Sequence, residues 1–404
     1  MVAAAGLRET IDEIMPGVVA DRRDLHEHPE LAFQEVRTSG IVAERLAMLG
    51  VEDVRTGIAG TGVTGLIRGG KGAGNSKTVL LRADMDALPI LEENAVDYVS
   101  RHPGVMHACG HDAHTAILLA TARVLSERRD EFAGTVKLLF QPAEEVPPGG
   151  AKPMIDAGVL DDPTVDAAFG LHINQDGPLG TVEVRPGPAM AAADRFRVVI
   201  QGKGGHGARP QDCVDPIVVG AQIVGALQTL VAREVDPIES AVVSVCAFLA
   251  GEAFNVIPDT AELRGTVRTF TPENRDLLER RIGEVVRGVA AALRAEATVE
   301  YNRGYPATIN DPAMTELVRA AAAEVVGAAK VVEGPPMMGA EDFSYFLERV
   351  PGSFFFVGSR NEERGLVWGH HHPRFDLDEA ALAVGIETLA RTTLRYLDVG
   401  AAQG

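Results

Sequence analysis

The chain has 404 residues, too many for one ordinary domain, so two or three are expected. Hydrophobic residues at 46% and charged residues at 24% are ordinary for a globular protein able to bury a large core. The formal charge of −19, from 38 basic and 57 acidic side chains, repels phosphate backbones and argues against nucleic acid as a partner.

The first 50 residues read as helix, with apolar spacing through Ile11, Ile14 and Val18, then Ile41, Leu46 and Leu49. The N-terminal MVAAAGLRETIDEIMPG lacks a basic segment followed by a long apolar one, so no signal peptide is expected. TVLLRADMD (78–86), GTVKLLFQPAEE (134–145) and DAAFGLHI (166–173) are buried-strand candidates. Between the first two a helix is predicted over about 113–130, with Asp112 as N-cap and Gly134 past its end. This alternation predicts an α/β domain with a largely parallel sheet.

From about residue 189 the order becomes strand (DRFRVVIQGK), helix (DPIVVGAQIVGALQTLVAR), two strands (SAVVSVCAFLAG, TAELRGTVRTF), helix (ENRDLLERRIGEVVRGVAAALRAE) and strand (ATVEYNRGYP). That β-α-β-β-α-β order is the split arrangement of a ferredoxin-like domain. It is expected over 189–307, inserted between 1–188 and 308–404, which together are expected to form the first domain. SFFFVG (353–358) is a further buried strand, and the C-terminal helix is expected to end in a loose tail, DVGAAQG. No run of about 18 apolar residues occurs, so no membrane span is predicted. Cys109, Cys213 and Cys246 are odd in number and far apart, which favours a reducing, cytoplasmic setting over a disulfide framework.

Metal ligands come from several directions and therefore from several segments. His107, Cys109 and His111 alternate in HACGHDAHT. Glu144 and Glu145 follow VKLLF, His172 ends AAFGL, His370, His371 and His372 precede Pro373, and Asp84 and Asp86 follow TVLLR. Four of these groups fall at or beyond a strand's C-terminal end, where open α/β sheets bind ligands. A thiolate with imidazoles and carboxylates suits zinc or a similar divalent transition metal better than magnesium or calcium. Five or more donors exceed one tetrahedral shell, so two ions roughly 3.5–4 Å apart are expected. Of the neighbouring Glu144 and Glu145, one then binds metal and the other handles a proton of water whose pKa the metal lowers toward about 7.

Each feature alone has a plainer reading: a polar turn, a solvated acidic pair, a structural histidine, an exposed loop. A second chemical reading makes Cys109 a nucleophile paired with His107 or His111 near a helix N-terminus; it leaves Glu144, Glu145, His172 and His371 unexplained. GKGGHG (202–207) fits a dinucleotide fingerprint but lacks the following helix and acidic residue, so that site is rejected.

RRDLHEHPELAFQE (22–35), LLRADMDALPI (80–90), MHACGHDAHTA (106–116), LLFQPAEE (138–145), GLH (170–172), GKGGHGARP (202–210), FNVIPDTAELRGTVRT (254–269), MGAEDFSYF (338–346) and HHPRFD (371–376) run through most of the chain. In that order they resemble the M-twenty metallopeptidase superfamily, in its amidohydrolase branch with hippurate hydrolase, indole-acetyl-amino-acid hydrolases and N-acyl-amino-acid deacylases. The resemblance implies metal ligands at Cys109, His111, Glu145, His172 and His371, the last through an H-x-P pattern. It implies Glu144 as general base, Cys109 as the bridge between two ions, and Asp86 as an aspartate that orients a ligand. Asp84 stands where other branches carry a histidine ligand. His206 matches a residue that reaches the scissile carbonyl across a dimer interface. Asn255 and Arg268 are candidates for the substrate carboxylate, although a structural ion pair explains Arg268 equally well; Glu341 and Asp342 fit the motif without an assigned role.

The expectation is a metal-dependent amidohydrolase of N-acyl or N-aroyl amino acids, carrying two divalent ions (zinc, manganese, cobalt or nickel) and forming a homodimer or larger assembly through the inserted domain. The alternatives are a carboxypeptidase or dipeptidase acting on unblocked peptides, and a non-catalytic binding protein, whose mark would be loss of Glu144 or His371.

Overall fold

The computed structural model describes residues 6–71 and 77–401. The expectation about a leader falls partly on residues 1–5, and that of a loose tail partly on 402–404, which lie outside the described residues. The helix Ala380–Ala401 takes in the first four residues of DVGAAQG. The chain divides into two compact units, one of Met1–Gly187, Ile309–Pro335 and Asp342–Gly404, the other of Pro188–Thr308 and Pro336–Glu341.

The first unit is built on an eight-stranded sheet. Its strands run, edge to edge, Glu52–Ile58, Gly62–Arg68, Thr135–Gln141, Thr78–Asp84, Ala167–Pro178, Gly352–Arg360, Val182–Glu183 and Val331–Val332. The four central strands pair in parallel. Every residue of Thr78–Asp84 is buried, as expected for a parallel strand covered on both faces. The first two strands form an antiparallel hairpin that the sequence reading did not identify. Its outer strand is mostly exposed and carries no apolar run to betray it. Leu7–Glu27 buries Ile11, Ile14 and Val18 against His111–Glu127, which in turn packs on Ala380–Ala401.

Two expectations around the central helix are corrected. It spans His111–Glu127, and its N-cap is Gly110 at φ 93, a left-handed conformation that suits glycine. Asp112 therefore sits inside the first turn and does not cap. It is fully enclosed and accepts from Arg22 Nε at 2.8 Å, a competing partner that a sequence cannot display. At the other end a 3₁₀ turn, Arg129–Glu131, follows the helix, and Gly134 (φ 88) leads into the next strand rather than closing the helix.

In the second unit, Ala241–Leu249, Thr260–Thr269, Ala192–Gln201 and Glu296–Asn302 form a four-stranded sheet in that order, each neighbouring pair antiparallel. Two helices pack on it. Pro216–Arg233 is capped by Asp215, which accepts from the Ile217 amide, and Pro272–Ala292 is capped by Thr271. Pro216–Arg233 is long and apolar enough to cross a membrane, but it buries Val219, Ile223, Leu227 and Leu230 in this unit's core at helical spacing.

Candidate metal centre

Register brings the ligand-bearing segments to one level. Asp84 pairs with Gln141 on one side, and Arg82 pairs with Gly170 on the other, so Asp84 stands level with His172. His172 does not end its strand, as the sequence suggested. The strand continues to Pro178 because its second neighbour, Gly352–Arg360, keeps pairing with it beyond the point where Thr78–Asp84 stops. His172 thus projects at the step left by the shorter strand.

Around that step the donors gather in overlapping groups. Cys109, His111 and His172 form one, Cys109, Glu145 and His371 a second, and His111, Glu144 and Glu145 a third; within each group the donor atoms lie within 4.8 Å of one another. Cys109 Sγ is 3.5 Å from His172 Nε2, and His371 Nε2 is 3.1 Å from Glu145 Oε1. His371 takes φ 64, and its amide donates to the Ala108 carbonyl at 2.8 Å, which ties this loop to the HACGHD segment.

The Glu144–Glu145 turn is not the extended stretch that the sequence suggested. Ala143 adopts φ 53, and the next two amides, of Glu144 and Glu145, donate to the two oxygens of Asp86 at 3.0 Å each. Asp86 also faces His111. The Nδ1 of that ring lies 2.9 Å from the Asp86 carbonyl and 3.2 Å from its Oδ1, while the buried Nε2 has no hydrogen-bond partner among the described residues. A ring fixed through Nδ1 and orphaned at Nε2 is oriented as a metal-binding imidazole is, and the thiol, imidazole and carboxylate set around it suits a divalent transition metal.

The electrostatics agree with this. Burial lowers His172 well below the usual imidazole range, helped by neighbouring histidines, so it is neutral with a lone pair available. Burial alone would lower His111 too, but Asp84 and Asp86 outweigh it and raise it to about 10, which marks a place prepared for positive charge. Burial pushes the Cys109 thiol well up, reinforced by Glu145 and Glu144. A thiol so placed is a poor nucleophile by itself, and the imidazole it contacts at 3.5 Å is that of His172.

Asp84 groups with His111 and His114, donor atoms within 4.8 Å of one another, but both of its oxygens are already bonded. One oxygen is 2.5 Å from Arg82 Nη1 and the other 2.6 Å from His114 Nδ1, while His114 Nε2 accepts from the Ile173 amide at 2.9 Å. Arg82, fully buried, also bonds Asp342 at 2.8 Å, and Asp342 accepts from Gln141 and the Ala151 amide. Asp84 and Asp342 are therefore supports under the site. Sequence reasoning passed over Arg82, although a charge inside the apolar run VLLRAD was a signal. It also passed over Arg22, which lies fully buried between Asp112 (2.8 Å) and Asp376 (3.0 Å) and so joins the HACGHD segment to the HHHPRFD segment. His107 is buried, and among the described residues its ring nitrogens have no hydrogen-bond partner and it joins none of the donor groups.

The remaining predicted residues lie in the second unit. His206 and Asn255 are neighbours there: His206 pairs with Val256, and the Gly207 amide donates to the Asn255 carbonyl at 2.8 Å. Both are exposed. Arg268 is on a separate strand, half-buried, and bonds Thr266 Oγ1 and the carbonyls of Val267 and Met338. It makes no ion pair with a carboxylate among the described residues, and burial lowers its pKa. Glu341 also belongs to this unit.

A thiol, imidazole and carboxylate cluster at the step of a mainly parallel sheet carries the donors of a divalent-metal site, as metal-dependent hydrolases do. Comparison with known proteins gives the family. Residues 80–395 match the model of peptidase family M20/M25/M40, and the chain belongs to that family, in its amidohydrolase branch. It is 41% identical over 389 residues to N-acetyl-L-cysteine deacetylase of Bacillus subtilis, covering 96% of this chain and 89% of the relative. It is 41% identical over 393 residues to thermostable carboxypeptidase 2 of Saccharolobus solfataricus, covering 96% and 98%. The crystal structure of Bacillus subtilis YXEP, a dinuclear metal-binding peptidase of the same family, superposes with a TM-score of 0.84 at 38% identity, covering 96% of this chain and 99% of that one.

Proposed function

We propose that the protein hydrolyses the amide bond of N-acyl or N-aroyl amino acids, releasing a carboxylic acid and a free amino acid. The observation that carries this reading is the Ala143–Glu145 turn, in which two successive carboxylates are fixed through their amides on Asp86 beside His111. Cys109, His111, Glu145, His172 and His371 would hold two divalent ions, Cys109 belonging to the group with His111 and His172 and to the group with Glu145 and His371; zinc, manganese, cobalt and nickel all suit these donors. Bound there, the ions supply Lewis acidity to the amide carbonyl and lower the pKa of water. Glu144 takes a proton from the attacking water and returns it to the leaving amine. His206 donates to the developing oxyanion, and Asn255 and Arg268 bind the substrate carboxylate.

Replacing Glu144 with Gln is expected to leave metal content unchanged and lower kcat by roughly 10²–10⁴. Near-normal turnover by the metal-loaded variant would overturn the mechanism. A panel of N-acyl amino acids, with metal measured on the same sample, defines the substrate. The likeness to a carboxypeptidase favours a second reading, cleavage of unblocked peptides at the same site. Hippurate and an unblocked dipeptide compared at equal metal loading separate the two.

We further propose that the second unit is a ferredoxin-like lid and dimerisation domain. Supporting this, Ala241–Leu249 is an edge strand that exposes Phe248 and Leu249. A monomer by light scattering at working concentration refutes it.

A further inference from the structure

Ala143 and Phe33 are non-glycine residues with left-handed backbones, at φ 53 and φ 60. A side chain at such an angle is strained, and it persists only where the surroundings impose it. One carboxylate serves both. Glu35, wholly buried, accepts from the Phe33 amide at 3.0 Å and from the Ala143 amide at 2.9 Å through Oε1, and from the Thr61 hydroxyl at 2.6 Å through Oε2. The amides of Ala143, Glu144 and Glu145 therefore end in sequence on two internal carboxylates, Glu35 and then Asp86. Successive amides around a left-handed residue form a concave anion-binding nest. Here the amides are met from within the protein, and the middle one, next to Ala143, belongs to Glu144.

We propose that Glu35 is a positioning residue for the general base: by clamping the Ala143 amide it sets the turn that aims Glu144. This rests on the reading of Glu144 given above. Asp86 alone leaves the first amide of the turn without a partner, so the strained angle at Ala143 would relax and the base would swing from its place.

The test compares four variants with the metal-loaded enzyme. Glu35→Ala and Glu35→Asp both withdraw the acceptor from Ala143, and each is expected to lower kcat roughly 10- to 100-fold with KM unchanged, the effect of a displacement near 1 Å. In Glu35→Ala/Ala143→Gly, glycine adopts the left-handed angle without a Cβ penalty, so part of the lost kcat should return. Thr61→Val removes the third hydrogen bond without touching the turn and should keep kcat. Amide exchange in metal-free protein gives a readout independent of activity: the segment 142–146 should exchange faster in Glu35→Ala than in wild type or Thr61→Val. The proposal is overturned if both Glu35 variants turn over normally, if the double variant is no faster than Glu35→Ala, if Thr61→Val loses as much kcat, or if neither Glu35 variant folds. Glu144→Gln is assayed in parallel. Normal turnover there removes the base assignment itself, whereas an inactive Glu144→Gln beside a normal Glu35→Ala removes only the positioning role.

Discussion

Asp86→Ala probes the heart of the site. The carboxylate receives the Glu144 and Glu145 amides at 3.0 Å and faces His111 Nδ1 at 3.2 Å. Hydrogen bonds to a charged group contribute about 1.5–3 kcal/mol each. Water entering the space left by the carboxylate replaces part of this, so the net loss of stability should lie nearer one bond than three. The effect on metal should be uneven. His111 keeps the backbone carbonyl of residue 86 at 2.9 Å, so its Nε2 stays aimed. Glu145 loses the anchor of its own amide. Removing such a support typically weakens metal binding about 10- to 100-fold, or about 1.4–2.7 kcal/mol. Titration of apoprotein with zinc against a competing chelator should therefore show one of two binding steps weakened and the other near wild type. A folded Asp86→Ala protein that binds both equivalents with wild-type affinity refutes the reasoning. Equal weakening of both steps would show that Asp86 acts on His111 more than on the turn.

Two further predictions concern the buried charges behind the site. Arg22→Met leaves Asp376 enclosed without its cation and Asp112 with His26 alone, and should cost roughly 3–5 kcal/mol in denaturant unfolding; a loss below about 1 kcal/mol, the worth of a surface pair, contradicts the role given to Arg22. His26 lies 2.8 Å from Asp112 and 3.2 Å from Glu92; burial and Arg22 lower its pKa, but these carboxylates outweigh them and raise it to about 8. A pKa raised on folding contributes stability that is present below about 6.5, the unfolded value, and is lost as pH rises through about 8, in all on the order of 2 kcal/mol. Melting curves of wild type and His26→Gln should converge across that window, and a constant difference between them contradicts the assignment.

Much of the site was legible because its chemistry is unusual in composition. Cys109, His111, Glu144, Glu145, His172 and His371 are residue types rarely gathered without a metal, and the apolar runs beside them identify the strands that carry them. The hairpin Glu52–Arg68 stayed hidden because its outer strand is mostly exposed and has no apolar pattern. Asp112 was misread because N-capping is a local inference. Its true partner, Arg22, is ninety residues away in sequence.

By itself the sequence determined which donors exist, which elements carry them and which family the chain resembles, because residue type and hydrophobic period are local properties. Only the tertiary structure decided which donors share a centre. Parallel register sets His172 level with Asp84, the left-handed turn at Ala143 hangs two carboxylates on Asp86, and Arg82 occupies Asp84 so that it supports the site. Those outcomes depend on competition between partners distant in sequence, and packing settles that competition.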